Sequence, residues 1–341
     1  MSGWSIWFKR KFRGIESQAM RDCKEADAAY ACQDYETALA LYEEGLKRFR
    51  EIERWDMVLF LRLQMGDVAR LSGDHSTARI HLEQAVSLAR NQKHTYHLEA
   101  ALIRLASVAT YQGEIALAER LCAECLQKEH PPEKALEYAA IQSLLGAISR
   151  TIPAGLVHYK CALAIYREQE HQEGIQSCLC DLGHCTGPGQ DNSQQRVCLQ
   201  ECLELCETRE DERIRSYVLN NLGNIERFEG RLDRAIALYR DSLNIKQRIG
   251  DEWAIAYTIE GCAGIAVTQG QGAKAAGLLG KAAEIRRRLG APLEPRKQPE
   301  YEAILAQVRE MLTAADFELA WEEGARLSLT QTVAKATSEP I

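Results

Sequence analysis

The chain has 341 residues, 46% of them hydrophobic and 27% charged, with a formal net charge of −7. That acidic balance argues against the basic face with which proteins neutralise nucleic-acid phosphates, and no apolar run approaches the ~18 residues that span a bilayer. Of only eight prolines, four (Pro292, Pro295, Pro299 and Pro340) fall in the last fifty residues, so long stretches are free to be helical.

Residues 1–15 read as a separate segment in which Trp4, Ile6, Trp7, Phe8 and Phe12 interleave with Lys9, Arg10, Lys11 and Arg13. No apolar run follows these charges, so no secretory signal is read. Twelve cysteines then fit free thiols in a reducing cytoplasm. The aromatic–basic mixture suits contact with a membrane surface through residues 4–13, or the covering of the open apolar face that a stack of repeats presents at its start. Covering is the expectation, because every such stack requires it.

From residue 16 a small residue recurs inside a helical pattern: Ala26, Gly66, Ala106, Gly146, Gly183, Gly223 and Ala263, at intervals of 40, 40, 40, 37, 40 and 40 residues. Twelve, sixteen and nineteen positions past each anchor stand further residues of matching type, such as Ala78, Leu82 and Ala85, or Ala235, Tyr239 and Ser242. The fourth unit joins the series only if three residues are missing near Thr151–Ala154, which also accounts for the 37-residue interval. Residues three and four apart share a helix face. A small anchor therefore lets the second helix of a hairpin approach closely, and the large residue at the sixteenth position fills the remaining space. Gly73, Gly113, Gly230 and Gly270, seven past their anchors, should end the first helices where the chain turns sharply.

In the fifth unit Cys178, Cys180, Cys185, Cys198, Cys202 and Cys206 gather near His184. Their spacing is not that of a structural zinc site, and Cys202 sits where the repeat wants a small apolar residue. Buried thiols are expected, with no metal and no cofactor. Gly280-Lys281 lacks the preceding glycine and following hydroxyl of a phosphate-binding loop. No nucleophile and base that must meet can be picked out, so no enzyme activity is expected.

The anchors, the terminating glycines and the alanine–aromatic–small series resemble the tetratricopeptide repeat, in a form with a period near 40. Asn220-Asn221-Leu222-Gly223-Asn224 is the closest match. Leu289-Gly290-Ala291-Pro292, Pro299-Glu300-Tyr301 and Phe317 through Gly324 are similar to the closing segment of the large bacterial signal-transducing ATPase regulators. This resemblance implies an all-α fold, a right-handed α-solenoid of about seven hairpins over residues 16–290, with capping helices and a tail over 291–341. It implies the sensor region alone, without the nucleotide-binding or DNA-binding domains of those regulators.

The resemblance also implies that the first helices line a concave groove, with a polar stripe three before, one after and four after each anchor. Those positions give Asp67, Arg70, Ser107, Thr110, Arg150, His184, Asn220, Asn224 and Arg227, with Tyr217 and Phe228 close by. Asparagine pairs with both donor and acceptor of a ligand backbone, and arginine offers a planar fork to carboxylates. Alternatively, Arg70, Arg150 and Arg227 make ion pairs between neighbouring repeats. The groove positions carry no lysine, against a chaperone-tail clamp. The expected function is a non-enzymatic cytoplasmic scaffold or adaptor that binds a protein or peptide partner of acidic character. The alternative is a regulatory protein of a bacterial signalling pathway that senses a small molecule.

Overall fold

The computed structural model describes residues 3–32, 34–92, 95–127, 132–294 and 296–338, among which every regular element is helical. The expectations placed on the side chains of Trp4, Ile6, Trp7, Phe8, Lys9, Arg10 and Lys11 lie outside the described side chains. The chain divides into two compact units, residues 1–128 and 129–341.

The first unit holds three hairpins: α1 (Gly3–Ala31) with α2 (Tyr35–Glu51), α3 (Trp55–Leu71) with α4 (His75–Asn91), and α5 (Thr95–Tyr111) with α6 (Ile115–Leu126). The second holds four more: α7 (Ala135–Ile148) with α8 (Ile152–Glu168), α9 (Gln172–His184) with α10 (Ser193–Arg209), α11 (Glu212–Phe228) with α12 (Leu232–Arg248), and α13 (Glu252–Thr268) with α14 (Gly272–Leu289). It closes with α15 (Gln298–Met311), α16 (Ala314–Arg326) and α17 (Leu329–Thr337). Among the described residues no helix is long and apolar enough to cross a membrane.

Small-against-large packing sets the hairpins. A methyl group added at Gly66 would lie 2.6 Å from Leu82, at Gly146 2.8 Å from the ring of Tyr159, at Gly183 2.2 Å from Leu199 and at Gly223 2.6 Å from Tyr239. Each partner is the residue expected to fill the space left by the anchor, and each is fully buried or nearly so. Asp34, Asp74, Asp211 and Asp251 cap the next helix by accepting the backbone N–H three residues on, which satisfies donors the helix itself cannot. Gly73, Gly113, Gly230 and Gly270 have φ between 72° and 84°, the left-handed turn predicted for them.

Two first helices are short. The expected contraction in the fourth hairpin appears as the loop Ser149–Thr151, with Pro153 in the first turn of α8. In the fifth, α9 ends at His184 and an eight-residue loop, 185–192, leads to α10, because Gly187-Pro188-Gly189 cannot continue the helix. Both α7 and α9 therefore lack the last turn that α3, α5, α11 and α13 possess.

At the C-terminal end α16 crosses α14 with the backbones in contact. A methyl group at Gly324 would stand 2.0 Å from the Gly277 carbonyl oxygen, and one at Gly280 2.3 Å from that of Trp321. Backbone cannot yield as a side chain can. Gly324→Ala is therefore expected to cost on the order of 3 kcal/mol in urea denaturation. Glu210 ends α10 with φ of 55°, a conformation glycine adopts without penalty. Glu210→Gly should raise stability by up to about 1 kcal/mol in the same measurement.

Candidate functional site: a polar cleft on the first helices

The stripe expected in the first unit lies on α3 and α5 and is partly committed to internal contacts. Asp67 accepts from Arg104 Nε across the two helices (2.6 Å), and Arg70 Nε lies 3.9 Å from the same carboxylate. Thr110 Oγ1 donates to the Ala106 carbonyl within its own helix. Ser107 is half-buried beside them.

In the second unit His184, Asn220, Asn224 and Arg227 converge on one cleft from α9 and α11. Sequence reading missed its other walls: Tyr257, Glu260 and Gly261 of α13, and Leu293, Lys297, Glu300, Tyr301 and Ile304 from beyond the last hairpin. Extending the stripe rule to the seventh anchor, Ala263, would have reached Glu260 and Gly264. Nothing local marks the residues past 290 as cleft-lining. Arg150 is exposed at the end of α7 and does not line the cleft. Tyr217 donates its hydroxyl to Asp251 (2.6 Å) with the Lys246 ammonium over its ring, so it serves the packing of α11 on α13.

The stripe expected to be open is covered here. Asn220 and Asn224 are less than 10% exposed. Arg227 pairs with Glu300 of α15, Tyr257 OH donates to Glu294 (3.2 Å), and His184 Nε2 lies 3.4 Å from the same carboxylate. Arg296 bonds Glu294 (3.0 Å) and reaches the Cys185 sulfur (3.6 Å). Its guanidinium thus reaches the residue that follows the early end of α9. Arg227 is held from below as well: it lies 4.3 Å over the Phe228 ring and its Nε donates to Tyr239 OH (3.4 Å), which donates in turn to Asn224 Oδ1 (2.6 Å). Ion pairs between neighbouring repeats do occur, through other arginines: Arg90 with Glu124, Arg167 with Glu201, and Arg196 with Glu226.

Burial controls the charges in this cleft. It lowers the basicity of His184, helped by Lys297 and opposed by Glu294, so the imidazole is neutral near pH 7. Burial alone would raise Glu294, but Arg296, His184 and Lys297 hold it well below the usual carboxylate range. Asp181, one helical turn before His184, goes the other way. Burial pushes it up to about 7, against the pull of Arg296 and with the push of Glu294.

The cysteines of the fifth repeat are packed as thiols. Cys202 donates to the Gln176 carbonyl (3.3 Å), and Gln176 donates to Cys206 (3.2 Å). Burial pushes Cys178 up to about 12. Among the described residues no three His, Cys, Asp or Glu side chains stand together as a metal site would require.

A folded carboxyl near 7 against an unfolded value near 3.8 sets the sign of a pH effect. The folded state binds the extra proton, so this group's contribution is whole below about pH 4 and is lost as pH rises to about 7. Asp181→Asn keeps the site neutral throughout. Its melting temperature should exceed that of the unaltered protein by several degrees near pH 8, with the gain vanishing near pH 4. A gain equal at both pH values would contradict this assignment.

Two stretches match a family model described as tetratricopeptide repeat, residues 21–91 and residues 216–249. No protein among those with curated function matches the sequence. The chain is similar to a Rap protein solved in complex with competence and sporulation factor, at 13% identity and a TM-score of 0.51, covering 91% of this chain and 99% of that one. It is also similar to the apo form of the quorum sensor NprR from B. thuringiensis, at 14% identity and a TM-score of 0.47, covering 95% and 100%. The matched stretches contain the Gly66–Leu82 and Gly223–Tyr239 packing positions described above, and the Gly146–Tyr159 and Gly183–Leu199 pairs repeat the same construction. The chain thus carries tetratricopeptide repeats at residues 21–91 and 216–249.

Proposed function

We propose that the chain is a non-catalytic binding module that receives a peptide or protein segment against the first helices of its fifth, sixth and seventh repeats. The observation that carries this reading is the convergence of α9, α11 and α13 on one cleft lined by Asn220, Arg227, His184 and Tyr257. Their side chains offer hydrogen bonds to a backbone amide and a fork to a carboxylate. A partner with acidic character fits that donor set. The Rap protein of similar fold, solved with a competence and sporulation factor, supports a binding role for this kind of repeat array. The reading has the protein work in the cytoplasm, where its twelve free cysteines stay reduced. Residues 16–290 then act as the repeat array and 291–341 as its closing segment.

Asn224 is unsuited to a test of binding, because it is buried under the Tyr239 hydroxyl and its loss would weaken the hairpin. Asn220→Ala is the sharper probe. Partner recovery on the full-length variant should fall about tenfold or more, the size of one lost hydrogen bond to a buried group, with circular dichroism and melting little changed. Recovery equal to that of the unaltered protein would defeat the reading.

A further inference from the structure

The cleft is already occupied by part of its own chain. Glu294 takes hydrogen bonds from Tyr257 on α13 and His184 on α9, and Glu300 takes one from Arg227 Nη2 on α11. Three successive first helices therefore hold one short stretch through its two carboxylates. Ile304 follows on the same side, where Gly264 has no side chain to bar it: a methyl group there would lie 3.3 Å from Ile304 and 2.8 Å from Arg227.

Two further observations bear on what else could occupy the cleft. Arg227 is fixed by Phe228 and Tyr239 independently of Glu300, so without Glu300 a buried guanidinium would face the cleft with its outer edge unpaired. Such a group demands an anion. Second, the resident stretch leaves the cleft incompletely satisfied. Asn220 is 6% exposed and lines the cleft, yet among the described residues its Oδ1 accepts no hydrogen bond. A buried acceptor left unmet is a standing cost that an incoming backbone N–H would remove.

We infer that Glu294 and residues 296–304 are a resident occupant of the groove, and that the partner segment which displaces them presents two carboxylates to the sites now held by Glu294 and Glu300. This rests on the groove-binding reading above and names the chemistry of its partner: a peptide segment with two acidic side chains spaced as these are, six residues apart, and an amide donor for Asn220.

The probe is a fluorescent synthetic peptide of residues 291–304, with a twin carrying glutamine in place of both glutamates. The full-length E294Q/E300Q protein should bind the first peptide about tenfold tighter than the unaltered protein does, because its tethered competitor is weakened. The twin should bind about tenfold more weakly than the first peptide, for want of charge on the Arg227 fork. Equal affinity for the two proteins, or for the two peptides, overturns the inference. Should the variant not fold, amide hydrogen exchange on the unaltered protein decides. Excess peptide should speed exchange across 298–311 and leave 252–268 unchanged, and no acceleration overturns the inference. A partner whose capture needs Asn220 but is indifferent to E294Q/E300Q would sink this inference and leave the binding reading standing.

Discussion

The distance between the two helices of a hairpin is fixed here by the absence of a side chain. At Gly223 the Tyr239 ring lies where a β-carbon would otherwise stand, and the same holds for Gly146 with Tyr159, Gly66 with Leu82 and Gly183 with Leu199. Protein interiors are packed closely enough that such a spacing cannot drift by even a methyl group. Within the second unit this brings α9, α11 and α13 side by side, so residues one turn apart on different repeats face a shared space. Tyr239 also carries the constraint into the cleft. Its hydroxyl bridges Asn224 and Arg227, so the ring that sets the helix spacing also aims the guanidinium.

The repeat itself was legible in the sequence because it is written seven times. Anchor, filler and turn recur at fixed distance, and each recurrence is enforced by the same local packing. The shortened fourth hairpin could be located to within a loop, since a deletion leaves a measurable offset in a periodic pattern. The early end of α9 was equally available in Gly187-Pro188-Gly189, a turn signal that the regular spacing led one to overlook. Periodicity encourages the reader to complete a pattern where the residues themselves stop it.

The cleft was legible only on one side. Positions on α9 and α11 follow from helix geometry, and Glu260 would have followed from the same rule. Glu294, Arg296 and Glu300 could not, because their contacts lie up to 111 residues away in sequence (Arg296 to Cys185) and follow no period. The electrostatics were hidden for the same reason. Whether Asp181 is ionised depends first on how deeply the fold buries it and then on the opposing charges of Arg296 and Glu294 from the distant segment, and composition cannot specify either.

The crossing of α14 and α16 has a consequence for the helix between them. That contact is made by backbone at Gly277, Gly280, Trp321 and Gly324, so neither salt nor pH acts on it directly. It anchors the chain on both sides of α15. A segment held in this way stays near its site even after it has let go, at a local concentration on the order of millimolar. A soluble partner present at micromolar levels must therefore bind about a thousandfold better than the resident stretch to hold the cleft half the time. The glycines of the closing helices thus set a threshold of partner concentration, although none of them touches the partner's site.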